Sequence, residues 1–285
     1  MFFSRPKLSA RPATAADRNL ITMLARAERR VHAHLDWRAV EDWLGAQPFL
    51  VAEQGRQVMG AFACPPDPPD TAWVRLLAVA ENASAAEVWQ VLWEQARERL
   101  VGMGATAAAG LSTGEWMRPL YQTAGFQQTQ DVVVLARPRG PPVPAPPTPA
   151  RLRLARADDY SRLSALDRAA FVPPWQLSPA MITAAIAQSD LITVAEVEGQ
   201  LVGYQLSTPS RSGAHLARLA VLPEWQGRNI GAALAAYMID HYQGRGADEL
   251  TVNTQDSNTA SLHVYERLGF QLNGTRFPVF QTVLG

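Results

Sequence analysis

The 285 residues suffice for two ordinary domains, each with its own core, and the balance of 26 basic against 26 acidic residues excludes a basic region for nucleic acid. Cys64 is the only cysteine, which excludes an internal disulfide and suits a reducing cytoplasm. The first residues are too few and too charged for a signal peptide and no apolar run is long enough for a bilayer, so we expect a cytoplasmic protein without membrane association.

The first half of the chain predicts alternating short strands and helices. Apolar residues at helical spacing predict helices at 15–28, 37–44, 84–100 and 116–123, and Ser84 is the expected N-cap of the third. Alternating patterns and turn residues predict strands at 8–12, 49–53, 57–64, 73–79, 106–111 and within 126–136. The strands 49–53 and 57–64 are expected to form a hairpin around Gln54 and Gly55.

A proline-rich segment divides the chain. Residues 138–149 read PRGPPVPAPPTP, which lacks the backbone donors and apolar side chains of a packed element. We predict an extended polyproline linker at 138–150, between a domain at 1–137 and a domain at 151–285.

The same order of elements returns after the linker. Strands are predicted at 151–156, 191–196, 201–207, 215–221, 249–253, 270–275 and 277–283. Helices are predicted from Asp158 as cap to residue 171, from Ser178 and Pro179 onward, after the turn at 226–231, and at 258–268.

Residues repeat as well as elements. Three short sequences recur at nearly constant spacing: 51–53 at 194–196, 77–79 at 219–221, and 121–126 at 265–270. Such anchors indicate an internal duplication of a whole domain.

The most informative stretch is 215–237, HLARLAVLPEWQGRNIGAALAAY. It predicts a strand, a turn and an alanine-rich helix, whose first N–H groups lack partners and form a seat for phosphate. Gly231 lets a ligand approach the backbone, and Asn229 tolerates a left-handed conformation.

These residues resemble motif A of the GNAT superfamily of acyl-CoA-dependent N-acyltransferases, Q/R-x-x-G-x-G/A, through Gln226 and Gly231. Asn229 departs from the motif, because the family usually has its first glycine there. The resemblance implies an α/β fold with the mixed sheet of GNAT proteins, present in two tandem copies, and acetyl-CoA as the acyl donor. The residues implied in holding the donor are Leu219, Ala220, Val221, Gln226, Gly227, Arg228, Asn229, Ile230, Gly231, Ala232, Asn258 and Ser261.

The first copy has no matching turn. Laid on the second copy, its segment 80–89 places Glu87 at Asn229 and Trp89 at Gly231. A carboxylate repels a pyrophosphate and an indole fills the space beside the backbone, so we expect the coenzyme A site of the first copy to be lost.

Two side chains are the candidates for proton transfer. The resemblance implies that Tyr265 is the general acid for the coenzyme A thiolate, and the alternative is a core tyrosine packed on Phe270.

His215 is the candidate base, because a histidine pKa of about 6.5 suits a proton acceptor at neutral pH. Strand alternation predicts that its side chain shares a face with Leu219. Glu196 is the alternative base, but its match to Glu53 indicates a shared structural position.

The apolar loop 171–175 is where the family often places substrate contacts, so Phe171 and Trp175 are the candidate substrate-binding residues. No cluster of histidine, cysteine or carboxylate residues predicts a metal site.

We predict transfer of an acetyl group by the second copy to a small-molecule or peptide amine. A non-catalytic coenzyme A-binding or protein-interaction module and a role like that of mycothiol synthase, also a tandem GNAT protein, remain alternatives. The oligomeric state is not indicated.

Overall fold

The computed structural model describes residues 6–27 and 29–285. The chain forms two compact units, Met1–Thr129 with Phe277–Gly285 (unit 1) and Gln130–Arg276 (unit 2). None of the described helices is both long enough and apolar enough to cross a bilayer.

The elements of unit 1 follow in chain order. The strands are β1 (Leu8–Pro12), β2 (Arg30–Ala33), β3 (Phe49–Gln54), β4 (Gln57–Ala63), β5 (Thr71–Trp73), β6 (Leu76–Val79) and β7 (Ala107–Leu111), and the α-helices are α1 (Arg18–Ala27), α2 (Ala85–Gly102) and α3 (Arg118–Thr123). One sheet has the order β1-β3-β4-β6-β2, and β5 pairs in parallel with β7. A core of apolar and aromatic side chains packs beneath α2, where Trp89 and Trp93 stack at 5.6 Å between ring centroids.

The elements of unit 2 begin with β8 (Gln127–Pro138), of which residues 130–138 belong to this unit. The strands that follow are β9 (Arg151–Leu154), β10 (Leu191–Val197), β11 (Gln200–Pro209), β12 (Gly213–Val221), β13 (Glu249–Gln255) and β14 (Gln271–Val283), and the α-helices are α4 (Tyr160–Ala170), α5 (Pro179–Gln188), α6 (Ile230–Gln243) and α7 (Thr259–Arg267). The strand order is β8-β13-β12-β11-β10-β9.

The two units exchange strands along the chain. In unit 2, β8 pairs with β13 from Glu249↔Pro138 to Gln255↔Val132. In unit 1, the end of β14 pairs with β7 from Val279↔Leu111 to Val283↔Ala107. Each unit is therefore completed by a strand that the sequence places in the other half of the chain, and the compact units differ from a division at residue 137.

The proline-rich segment belongs to unit 2 and contacts both ends of α6. Gln243, at the end of α6, donates to the carbonyl of Pro138 at 3.3 Å. Asn229, before the first residue of α6, donates to the carbonyl of Pro147 at 3.2 Å. The segment thus packs along a helix of its own unit and carries the chain from β8 to β9, at opposite edges of the strand order.

Some predicted elements need correction. The predicted helix at 37–44 is only a short 3-10 helix, Val40–Trp43, and β2 was not predicted. The predicted strand at 73–79 is broken into β5 and β6, which pair with different neighbours. Part of the predicted first helix, residue 28, lies outside the described residues.

The duplication extends to an ion-pair cluster in each unit. Arg11 bonds Asp17 at 2.8 Å and Glu53 at 2.7 Å. Arg153 bonds Asp159 at 2.6 Å, and it bonds Glu196 at 2.8 Å. Glu196 thus occupies a shared structural position, as its match to Glu53 predicts.

Candidate active site

A slot opens between β12 and β13 of unit 2. The parallel pairing runs from Gly213↔Glu249 to Leu216↔Val252 and ends there, although β12 continues to Val221. The register of β12 with β11 shifts between Arg218 and Leu216, so Ala217 is the extra residue of a β-bulge. Beyond this bulge, β12 and β13 are no longer hydrogen-bonded neighbours.

Backbone donors of β12 face this slot. Leu222 donates its N–H to the carbonyl of Val202 at 2.9 Å, and Tyr204 lies opposite Ala220. Because every second residue of an antiparallel ladder bonds its partner, the N–H groups of Leu219 and Val221 point away from β11, toward the slot. Of the three predicted strand residues, Ala220 therefore bonds β11 and the other two can bind a ligand.

The turn before α6 has the geometry of a phosphate-binding loop. Gly227 and Asn229 both have positive φ, 74° and 58°, so the left-handed conformation predicted for Asn229 is observed. The Asn229 side chain makes no cap bond, and the first bond within α6 is donated by Ala233. The N–H groups of Ile230, Gly231 and Ala232 consequently lack acceptors within the helix.

Two further loop residues support this turn. Gln226 donates through Nε2 to the carbonyl of Val221 at 3.1 Å, which ties the turn to the end of β12. The Arg228 guanidinium lies over the ring of Trp225, 4.6 Å from its centroid. A Cβ built on Gly231 would lie 3.6 Å from Val221 and 3.8 Å from Leu219, so this glycine borders the slot.

Tyr265 is buried, and its ring meets Phe270 edge-on at 5.9 Å between centroids. Burial raises the pKa of its hydroxyl above the usual 10.0, so the group stays protonated at neutral pH. Its counterpart Tyr121 donates to the carbonyl of Leu111 at 3.2 Å. The Tyr265 hydroxyl has no such partner among the described residues and is not one of the fully enclosed polar atoms. The hydroxyl is therefore free to act on a ligand.

The structure corrects the predicted face of His215. Leu219 packs with Ile230 and Leu234 of α6, and Leu216 also lies on the α6 side. Because neighbouring strand residues alternate, His215 lies on the opposite side; the bulge at Ala217 changes the phase.

Both ring nitrogens of His215 have partners. Nδ1 lies 2.9 Å from Thr251 Oγ1, and Nε2 lies 2.9 Å from Asn253 Oδ1. With this amide orientation Nε2 carries the proton and donates to Asn253, while Nδ1 accepts from the Thr251 hydroxyl. Burial lowers the pKa below 6.5, so the ring is neutral at pH 7.

Comparison with known proteins places these features in a family. Residues 160–270 match the family model described as Acetyltransferase (GNAT) family. This range contains the slot, the turn before α6 and Tyr265. Residues 160–270 therefore belong to the GNAT family.

Solved GNAT structures are similar to the whole chain. A GCN5-related N-acetyltransferase from Sphaerobacter thermophilus is 17% identical, with a TM-score of 0.65 over 99% of this chain and 97% of that chain. A tandem GNAT protein from the clavulanic acid biosynthesis pathway is also 17% identical, with a TM-score of 0.65 over 98% of this chain and 99% of that chain. A GCN5-related N-acetyltransferase from Anabaena variabilis is 11% identical, with a TM-score of 0.70 over 98% of this chain and 73% of that chain. The predicted tandem GNAT fold is confirmed, and the family match supports acyl transfer as the general activity.

The remaining predicted site residues of unit 2 lie at the start of α7 and in the loop before α5. Asn258 caps α7, since its Oδ1 accepts from the N–H of Ser261 at 3.1 Å. The Phe171 ring lies 3.5 Å from the carbon of the Arg218 guanidinium, and the Trp175 carbonyl accepts from Arg218 at 2.8 Å. Arg218 was not predicted from the sequence, because nothing in the local pattern shows that its partners meet it.

The equivalent slot of unit 1 is filled by the chain itself. Leu77 and Val79 correspond to Leu219 and Val221, and β2 pairs with them through His32↔Leu77 and Arg30↔Val79. His32, fully buried, also contacts the carbonyl of Val74 at 3.0 Å. The unit 1 positions that correspond to Leu219 and Val221 are therefore paired with a strand.

The turn before α2 also differs from the turn before α6, and for a reason other than the one predicted. The helix begins at Ala85, so Ser84 corresponds to Asn229 and the predicted alignment of Glu87 and Trp89 is wrong. Trp89 is buried in the core. Ser84 caps the helix by accepting from the Glu87 N–H at 3.4 Å, and Arg30 donates to three carbonyls of residues 80–83.

In the described part of the chain, no group of three or more histidine, cysteine or acidic side chains could hold a metal ion.

Proposed function

We propose that unit 2 transfers an acetyl group from acetyl-CoA to a primary amine, either a peptide α-amine or a small-molecule amine, by direct attack. One observation carries the proposal. An open strand slot with free N–H groups lies beside an uncapped helix N-terminus in unit 2, whereas β2 and Ser84 close both features in unit 1.

The residues present fit an acyl-CoA donor. The N–H groups of Leu219 and Val221 suit the carbonyl and amide oxygens of an extended thioester ligand. The first turn of α6, from Ile230 to Ala232, suits a pyrophosphate. When bound, acetyl-CoA supplies the activated acyl group: the amine nitrogen forms an amide bond to the acyl carbon and the C–S bond breaks.

Two protons move in this reaction, and the chain offers a group for each. We assign His215 as the acceptor of the proton that leaves the amine, because its neutral ring holds a lone pair at Nδ1. That lone pair accepts from Thr251, so the hydroxyl either turns away or passes the proton on. We assign Tyr265 as the donor of a proton to the thiolate.

The charges near the acceptor loop favour an amine of modest basicity. Arg218 lies beside Phe171 and Trp175 and pairs with Asp167, so this carboxylate is not available to attract a polyamine. An α-amine, with a pKa of about 7.7 to 8.0, is appreciably neutral near pH 7.5, whereas a lysine side chain at about 10.4 is almost wholly protonated. A peptide end or a weakly basic amine therefore suits the site best.

Calorimetry with acetyl-CoA, followed by turnover with a panel of amines, tests the proposal. We expect one site per chain, no binding after Gly231→Trp, and normal binding after Ala86→Trp, the matching change in the first turn of α2. Two sites per chain, or binding that survives Gly231→Trp, would overturn the assignment to unit 2. Binding without turnover on any amine would instead identify a non-catalytic coenzyme A-binding module.

A further inference from the structure

A buried carboxylate in unit 2 has no part in the proposed proton transfers. Asp167, in α4, is fully buried. Its oxygens accept from the Tyr204 hydroxyl at 2.6 Å, from Arg218 Nε at 2.7 Å and from Arg218 Nη2 at 2.8 Å. The N–H of Leu177 also donates to it at 3.2 Å. A single side chain thereby joins α4, β11, β12 and the loop before α5.

Arg218 extends this cluster to the acceptor loop. It donates to the Trp175 carbonyl at 2.8 Å, and its guanidinium stacks on Phe171 at 3.5 Å. Burial on its own would lower the pKa of Arg218, but the Asp167 carboxylate outweighs that effect and raises it. Arg218 therefore stays charged over the whole working pH range.

Arg218 also occupies a particular place on β12. It follows the bulged residue Ala217 and precedes Leu219, whose N–H faces the slot. A side chain that fixes Arg218 consequently fixes the strand at the point where it separates from β13. The cluster connects the loop at 171–177 with the backbone that faces the slot.

Unit 1 shows that packing alone does not require this cluster. The registers of the two units place Ala61 opposite Ala78 where Tyr204 lies opposite Ala220, and they place Leu76 where Arg218 lies. Both counterparts are apolar and fully buried. Buried ion pairs are a weak source of stability compared with apolar packing. At these two positions unit 1 has apolar residues, whereas unit 2 has Tyr204 and the charged Arg218.

We infer that Asp167 and Arg218 are positioning residues for the acyl acceptor: they hold residues 171–177 against the bulge of β12 so that the acceptor amine meets the slot. This inference rests on the proposed function of unit 2. A displacement of about 1 Å at a reacting centre can cost on the order of a hundredfold in rate, so loosening this loop has a measurable effect.

The test compares Asp167→Asn and the milder Tyr204→Phe with a matched control in unit 1. Asp36 pairs with Arg75 at 2.6 Å, with 3% and 5% of the two side chains exposed, so Asp36→Asn breaks a similarly buried ion pair in unit 1. For each variant we would measure kcat, KM for the acceptor, KM for acetyl-CoA, melting temperature and deuterium exchange of residues 171–177.

We expect Asp167→Asn to raise the acceptor KM roughly tenfold or more, with acetyl-CoA KM within about twofold and faster exchange at 171–177. Tyr204→Phe should show the same split at a smaller size, and Asp36→Asn should leave both KM values unchanged. The inference fails if the two unit 2 variants lose stability without a change in acceptor KM, or if Asp36→Asn gives the same split. Absence of turnover in the unmodified protein would instead refute the proposed function. In that case, unchanged deuterium exchange of residues 171–177 in Asp167→Asn would separately refute the positioning role.

Discussion

At the scale of single residues, Asn229 shows how a departure from a motif can preserve its geometry. A left-handed backbone costs most residues roughly 1 to 2 kcal/mol, and glycine and asparagine adopt it most readily. Asn229 has φ 58°, and its side chain also binds the carbonyl of Pro147. Asparagine therefore supplies the turn that a glycine would give and ties the proline-rich segment to the unit.

Tyr265→Phe should lower turnover by roughly a hundredfold, at the low end of the range for positioned proton transfer. The hydroxyl is proposed to act only as the thiolate departs, so the affinity for acetyl-CoA should stay the same. Steady-state kinetics and calorimetry on the same preparation measure both quantities.

Tyr121→Phe is the matched control, because it removes the corresponding hydroxyl from unit 1 and its bond to Leu111. It should leave turnover unchanged. Equal turnover in Tyr265→Phe and the unmodified protein would make Tyr265 a packing residue.

Some site residues are readable in the sequence and others are not. Gln226 and Gly231 lie at fixed spacing within one turn, so a linear pattern reveals them. Asp167, Tyr204 and Arg218 come from three elements far apart in sequence, and only the folded chain brings them together. The face of His215 was predicted wrongly, since one extra residue at Ala217 reverses the alternation and no residue type marks a bulge there.

At the scale of elements, the start of α4 depends on a different carboxylate from the predicted one. Asp159 accepts from the backbone N–H of Arg156 at 2.7 Å and bonds Arg153, whereas Asp158 is exposed. The hydrogen bond from Arg153, with the other donors, lowers the pKa of Asp159 from 3.8 to about 2. A pKa lowered by folding stabilises the protein above the unfolded value, and that contribution is lost as the pH falls toward 2.

Asp159→Asn should therefore lower the free energy of unfolding at pH 7, and its difference from the unmodified protein should shrink between pH 4 and pH 2. Urea titrations at several pH values measure this difference. Asp158→Asn, at an exposed position, should have a small effect on stability. If the two variants lose the same stability at pH 7, Asp159 has no special role in starting α4.

The strand β2 was not predicted from the sequence. Its four residues, Arg30 to Ala33, alternate poorly and include His32, which is fully buried but polar. Its partner β6 lies more than forty residues later, so no local pattern marks the pairing. Local periodicity and turn residues predicted the hairpins and long helices of both units, because those elements are set by neighbouring residues in the sequence.

At the scale of the whole molecule, strand exchange makes unit 1 depend on residues 277–285. Phe280 is 1% exposed and stacks on Tyr121 at 5.2 Å between ring centroids, and β7 takes its antiparallel partner from the same segment. The internal repeat predicts a division at the linker, because it cannot show which copy of the last strand pairs with which unit.

Phe280→Ala should destabilise unit 1 by about 3 to 5 kcal/mol, as expected for an aromatic side chain removed from a core. Amide exchange resolved along the chain should show the loss at β7 and α2 before unit 2. Phe270→Ala, an equally buried change in unit 2, should show the reverse. Loss of protection in unit 2 alone after Phe280→Ala would contradict the division into these units.

Strand exchange also constrains the order in which a growing chain can fold on the ribosome. Residues 107–111 emerge long before residues 277–285 are synthesised, so β7 must wait with one edge unpaired. An unpaired strand edge can pair with another chain, which exposes nascent unit 1 to aggregation from the synthesis of β7 until the last residues are made. Unit 2 has all of its strands once residue 276 has emerged. The unit that is translated first is therefore completed last.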